Sequence, residues 1–317
     1  MTASIPAMNA SPDKALFESA AKQLPNTLPF ELEKDWHVTR VLAFLSQLNS
    51  PGFEIVFSGG TALSKAHGLL QRFSEDVDFR VIAEGSPKRG ALSAFKHAVV
   101  NALRDGGFSI REEAVRARDG NRFFAVDIDY DSHFEPADGL RPHIQVEMAV
   151  QSPELPVVHL SVQSLLGKLM KQMPEVERIA CMAPVENAAD KLSALTWRIP
   201  DRVRGAADDD PAVVRHIHDL AMLETIAADD ARFPGLALTA MRHDLIRPKD
   251  RDAFAALSSA EKFARLLNTL AQDAEYRKEY DLFVRGVSYA PEGTAPDFAT
   301  AMEALKRLAK LVLDAEN

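Results

Sequence analysis

The stretch from Ile55 to Phe79 constrains the fold more than any other. Ile55-Val56-Phe57 is a short apolar run that suits a buried strand. Ser58-Gly59-Gly60 then forces a turn, and Thr61 is placed to cap a helix running from Ala62 to about Leu70. The first N–H groups of such a helix can meet an anion. A second strand begins at Asp76 within Arg72-Phe73-Ser74-Glu75-Asp76-Val77-Asp78-Phe79. Strand side chains alternate, so Asp76 and Asp78 share one face while Val77 and Phe79 take the other. Two carboxylates on one face can share a hard cation, and a neighbouring glycine turn can admit a phosphate. The order of these parts predicts metal-assisted phosphoryl chemistry.

Strand, Gly-Gly-Thr, helix and Asp-x-Asp strand in this order resemble the core of the polymerase-beta-like nucleotidyltransferases. More narrowly, Gly59-Gly60-Thr61-Ala62-Leu63-Ser64-Lys65 with Arg72-Phe73-Ser74-Glu75-Asp76-Val77-Asp78 resembles the AbiEii/AbiGii nucleotidyltransferase toxin family, which includes the MenT-like toxins. The resemblance extends over about residues 30–225 and is densest at 58–78. It implies an α+β fold: a mixed twisted sheet flanked by helices, followed by an all-helical C-terminal domain. The expected division is an N-terminal extension over 1–29, a nucleotidyltransferase core over 30–160 and a helical domain over 161–317.

Periodicity along the chain agrees with that division. Residues 13–24 predict a short helix, and Phe30 to Leu48 a longer one with Trp36, Val38, Val41, Leu42 and Leu45 on its apolar side. The opening of the longer helix, Glu31-Leu32-Glu33-Lys34-Asp35-Trp36, resembles a stretch that precedes the core in the family. Acidic residues favour a helix start, so no catalytic role is assigned to these charges. A helix is expected from Ala91 to Arg104, ended by Gly106-Gly107, with strands over 108–117 and 122–131. The second strand carries a rival pair, Asp127 and Asp129. It lacks a preceding glycine turn and reads as a solvated strand face.

Ile144, Val146, Met148 and Val150 alternate with Gln145, Glu147 and Ala149, which predicts a half-buried strand. If this strand lies beside Asp76 and Asp78, Glu147 becomes a third carboxylate; otherwise it is an exposed glutamate. The family places an acid on a strand here, which favours the first reading. From Ser161 onward the pattern is helical with no convincing strand. Pro184 opens a helix through Arg198 that presents Lys191. After an acidic run, Asp208 to Asp210, another helix follows from Val213 to Ile226, where Arg215 and Asp219 stand four apart and can pair.

Asp190-Lys191-Leu192 and Arg215-His216-Ile217-His218-Asp219 resemble the family's carboxy-terminal signature, which implies Lys191 as a phosphate contact and Asp219 as an acid that orients it. Without the resemblance, both read as an ordinary surface ion pair. His218 is expected to face elsewhere on its helix. The implied roles elsewhere are Mg2+ on Asp76, Asp78 and Glu147, and the triphosphate tail on Ser58, Gly59, Gly60 and Thr61. Lys65 and Lys191 add positive charge, with Arg72 and Ser74 nearby. Lys65 also reads as a solvated lysine, and Arg72 as a partner of Glu75 or Asp76.

The resemblance further implies an NTP donor, an RNA acceptor (the tRNA 3′ end), blocked translation and a cognate antitoxin. The alternatives are transfer to a small molecule such as an antibiotic, or an inactive relative that docks a protein. Composition narrows the field. A formal charge of −9 and no long basic run argue against broad coating of nucleic acid, although Arg198, Arg202 and Arg204 can form a local basic rim. A single cysteine, Cys181, excludes an internal disulfide and a cysteine zinc cluster. The Ala/Ser/Pro-rich start lacks the features of a secretion signal, and no apolar run suits a bilayer, so a soluble cytoplasmic protein without membrane contact is expected.

Overall fold

The computed structural model describes residues 11–135, 141–207 and 209–316. The chain forms two compact units, the first ending at Met182 and the second beginning at Ala183.

The first unit is built on a seven-stranded mixed sheet in the order β3-β4-β5-β2-β1-β7-β6. Its strands are β1 (Phe53–Ser58), β2 (Asp76–Ala83), β3 (Val115–Arg118), β4 (Phe123–Asp129), β5 (His143–Ala149), β6 (Val158–Val162) and β7 (Val176–Cys181). Strand β2 runs antiparallel to β1 and parallel to β5, and β4 closes antiparallel on β5. Alternation decides the two faces. Val77, Phe79 and Val81 of β2, Val146 and Met148 of β5, and Phe124 and Val126 of β4 all enter one core. Helices α1 (Lys14–Ala21) and α2 (Pro29–Leu45) precede the sheet, and α4 (Arg89–Asp105) follows β2. Helix α2 supplies Val38, Val41, Leu42 and Leu45 to that core, and α4 supplies Phe95, Val99 and Leu103. A satellite cluster joins Phe17 of α1, Leu32 of α2 and Leu166 of α5 (Leu165–Leu169).

Three local expectations change. The region after Ser161 holds strand: β6 reaches Val162 and β7 spans Val176–Cys181. Strand β7 hides because Glu177 and Arg178 interrupt its apolar pattern, and β6 carries a register shift between Leu160 and Val162. Their pairing extends the sheet-bearing unit to Met182. Residues 108–117 are not one strand; Glu112–Ala114 is a 3-10 turn, and β3 starts only at Val115. The helix after the glycine turn is also shorter than its composition suggests. A single turn, α3 (Gly59–Thr61), continues as a π-helical turn over Ala62–Ala66, and Gly68 then adopts φ +66.

The second unit is helical: α6 (Pro184–Arg198), α7 (Arg215–Asp229), α8 (Phe233–His243), α9 (Arg251–Ala255), α10 (Ser259–Gln272), α11 (Glu275–Val287) and α12 (Phe298–Glu316). Helix α6 packs on α7 and α8, and α12 packs on the same two. Leu192, Leu195, Ile217, Leu220, Leu305 and Leu308 are all fully buried there. Among the described residues, no helix is long and apolar enough to cross a membrane.

Candidate active site

The site grows from the join between β1 and α3. Ser58 ends β1, and its hydroxyl donates to the Asp78 carbonyl at 3.2 Å. Gly59 has φ +74, a conformation that disfavours any residue with a side chain. A Cβ placed there would lie 2.0 Å from Asp78 Oδ2, so the Asp78 carboxylate rests directly on the glycine backbone. At Gly60 a Cβ would lie 2.6 Å from an Arg72 guanidinium nitrogen and 3.2 Å from Ser74 Oγ. The Gly-Gly pair therefore admits three polar side chains at backbone distance.

Thr61 does not cap the helix as expected. It sits inside the turn, fully buried, and its hydroxyl donates to Ser74 Oγ at 2.8 Å and approaches the Asp76 carbonyl. It ties the turn to the start of β2.

The register sets Glu147 beside Asp78. Asp78 pairs with Glu147 and Asp76 with Gln145 across the parallel β2–β5 ladder. All four side chains share the face opposite the buried Val77 and Val146 and are only partly covered. Asp78 and Glu147 are thus neighbours on adjacent strands, about 4.8 Å apart along the ladder direction. A guanidinium also occupies this face. Arg141 donates to Asp76 Oδ1 at 2.5 Å and to the Gln145 side-chain carbonyl, while Gln145 donates to Glu147 Oε1 at 3.1 Å.

Behind this face, helix α2 supplies charges that local reading assigns to the helix start alone. Lys34 pairs with Glu75 at 2.5 Å, and Glu75 also accepts the Arg141 N–H at 2.9 Å. Burial lowers the Lys34 ammonium, and the charge of Glu75 works against that shift. Asp35 pairs with Lys65, and its second oxygen accepts the Leu165 N–H at 2.7 Å. Lys65 is buried in that pair. It is not the solvated lysine of the alternative reading. Arg72 is buried and donates to the Phe73 carbonyl at 2.9 Å, against Gly60.

The rival acids are held by arginines. Asp127 is buried and accepts two bonds from Arg116, at 2.5 and 2.8 Å, while Asp129 accepts from Arg111 at 2.8 Å. Burial pushes the Asp127 carboxyl up, but the Arg116 bonds and the charges of His143, Arg116 and Arg141 together outweigh it and hold it below its ordinary value. This strand face is ion-paired rather than solvated.

In the second unit, Lys191 of α6 and Asp219 of α7 form a buried ion pair at 2.8 Å. His218 does not face away from it: its Nδ1 lies 3.3 Å from Asp219 Oδ1, and the ring is buried. Arg215 donates to Asp210 at 3.0 Å, and Arg198 donates to Asp210 and to His216. His216 is held far below the ordinary imidazole value, by burial first and then by Lys191, Arg215 and Arg198. Asp210 caps the turn before α7 by accepting the Ala212 N–H at 3.0 Å, whereas Asp208 lies outside the described residues. Arg202 and Arg204 are committed to Asp209, Asp273 and Glu279, so the basic rim anticipated from sequence is internally neutralised.

Residues 44–304 match the profile of the family described as nucleotidyl transferase AbiEii toxin, type IV toxin–antitoxin system. The chain belongs to the AbiEii nucleotidyltransferase toxin family. Its activity is accordingly nucleotidyl transfer from an NTP. Its fold is similar to that of MenT4, a nucleotidyltransferase toxin from Mycobacterium tuberculosis H37Rv. That likeness has 20% identity and a TM-score of 0.52, and covers 94% of this chain and 99% of that one. No curated protein sequence matches it significantly.

Enzymes that transfer phosphoryl and nucleotidyl groups generally work with divalent cations. The donor set of this AbiEii protein suits one: Asp76, Asp78 and Glu147 are all carboxylates, share a face, and remain partly open to water. Among the described residues they do not close into a ready-made cluster of three metal-ligating side chains. Arg141 instead supplies positive charge at Asp76. Arg141, Lys34 and Glu75 carry no site role at the level of sequence because they meet one another and Asp76 across dozens of residues, which no local period reveals.

Proposed function

We propose that this AbiEii protein moves a nucleotide from an NTP to an RNA acceptor, the 3′ end of tRNA, with Mg2+, and so stops translation until a cognate antitoxin silences it. One observation carries the reading: the Asp78 carboxylate rests on the Gly59 backbone and stands in register with Glu147. A glycine bend able to admit a triphosphate thereby adjoins the acids that face it.

In the transfer, an acceptor hydroxyl oxygen forms a bond to the α-phosphorus, the bond to the β-phosphate oxygen breaks, and pyrophosphate leaves with the electron pair. Asp76, Asp78 and Glu147 would hold magnesium, which when bound supplies positive charge at the attacking and leaving oxygens. The turn from Ser58 to Thr61 receives the tail, with Arg72 and Ser74 packed against Gly60. Arg141 orients Asp76 and, through Gln145, Glu147. Lys65, held by Asp35, adds positive charge for the phosphates; in the helical unit Lys191 is held by Asp219, as the resemblance implies.

The test is incubation with each labelled NTP and either total tRNA or an aminoglycoside panel. Label in tRNA, lost in Asp76→Ala and Asp78→Ala variants that keep wild-type circular dichroism, is the expected result. Label confined to the aminoglycosides would redirect the acceptor to small molecules. Unchanged labelling by both variants would overturn the acid assignment.

A further inference from the structure

The open face of the sheet continues past the acids. Two residues beyond Asp78, about 6–7 Å along the strand, lies Arg80. The ladders carry a row from it across four strands: Arg80 pairs with Ala149, Ala149 with Phe123, and Phe123 with Arg118. Each of these positions lies an even number of residues from its counterpart in the row Asp78, Glu147, Ala125 and Arg116, so both rows share one face. The row spans three strand spacings, about 14 Å.

Its chemistry differs from that of the acid row. The Arg118 guanidinium lies over the Phe123 ring at 3.9 Å from its centroid, and Arg118 is exposed. A stacked guanidinium of this kind presents a second planar surface. Arg80 is partly exposed at the other end, with a bond to the Gln151 side chain, and small Ala149 keeps the floor between them low. Arginine on an edge strand such as β3 can serve only to block strand pairing. That role does not account for Arg80, which sits on the central strand β2, nor for the aromatic beneath Arg118.

The geometry points to this row as the track for the acceptor: a single-stranded RNA end whose phosphates meet Arg80 and Arg118 and whose base stacks on the Arg118–Phe123 pair. Unstacked bases of single-stranded RNA settle on aromatic rings and arginine planes, which duplex cannot do. A strand whose end lies at Arg80 brings its terminal hydroxyl to Asp78, two residues along β2, and to Glu147 beside it. In a chain of net charge −9, such a local cationic row is the kind of surface that can still bind a polyanion. This track rests on the RNA-acceptor reading and names the subsite for it.

The experiment compares the wild type, Arg80→Gln/Arg118→Gln and Phe123→Leu. It measures binding of a fluorescent single-stranded oligoribonucleotide by anisotropy across salt concentrations, and KM for total tRNA and for NTP. The double variant should bind the oligonucleotide at least tenfold more weakly, with a salt slope shallower by about 1.4 for two lost phosphate contacts. Phe123→Leu should weaken binding roughly tenfold with the salt slope unchanged. KM for tRNA should rise in parallel while KM for NTP stays within twofold. Equal oligonucleotide affinity in all three proteins overturns the track, and so does an equal rise in both KM values. If those variants bind RNA normally but escape the antitoxin, the row belongs to a protein partner and the track is likewise overturned. A wild type that binds the oligonucleotide through Arg80 and Arg118, yet labels no tRNA, would sink the transfer reading and leave the track standing.

Discussion

Replacing Gly59 with alanine tests the joint on which the proposed chemistry depends. Two penalties act together. The backbone stays at φ +74, which costs an L-residue about 1–2 kcal/mol. The new methyl would lie 2.0 Å from Asp78 Oδ2 and 2.9 Å from Asp78 Cβ. The carboxylate can rotate away, but the Cβ cannot retreat, because Asp78 is laddered to Ser58 on one side and Glu147 on the other. Overpacking of this kind adds about 1–3 kcal/mol, for a total near 2–5 kcal/mol. Gly85 isolates the first penalty: it has φ +64 and nothing within 4 Å of an added Cβ. Gly85→Ala should therefore lose only about 1–2 kcal/mol in urea unfolding, and Gly59→Ala distinctly more. Nucleotide incorporation should fall at least a hundredfold in Gly59→Ala, since an ångström of displacement at a reacting group costs about that much, and stay normal in Gly85→Ala. If the two variants unfold alike, the Asp78 carboxylate does not rest on Gly59. If Gly59→Ala incorporates nucleotide at the wild-type rate, that contact is irrelevant to transfer.

Three further outcomes follow from buried charge. Asp35→Asn keeps the acceptor for the Leu165 N–H but leaves Lys65 without its anion, and should cost about 3 kcal/mol in urea unfolding; a loss below about 1 kcal/mol would contradict the pair's burial. Lys191→Met should destabilise by a similar amount, and Lys191→Met/Asp219→Leu should recover much of it without regaining transfer, so recovery of both would remove these residues from the mechanism. Burial pushes the Glu31 carboxyl up to about 7, against a lowering bond from the Leu28 N–H. The folded state then holds that proton more tightly than the unfolded chain, so stability falls as pH rises from about 4.5 to about 7 and stays lower above. Glu31→Gln should match the wild type at about pH 5 and exceed it by about 1–3 kcal/mol at pH 8; equal stability at both would refute the shift.

The local parts were legible in the chain before folding: the strand, the glycine bend, the Asp-x-Asp strand after it, and the apolar stripes of α2 and α4. Each depends on period or on a backbone conformation, which neighbouring residues dictate. Alternation also put Glu147 on a half-buried strand, but did not say which strand lies beside it. It took the folded sheet to join β5 to β2 in the register that sets Glu147 against Asp78. It likewise decided that Lys65 serves Asp35, that Arg141 holds Asp76, and that His218 turns toward Asp219. A charged side chain has no period of its own; its role follows from whichever opposite charge the folded chain brings within about 3 Å, often from far along the sequence. For the same reason β7 escaped notice, since a strand with charges in its middle becomes recognisable only when β1 lies alongside to pair with it.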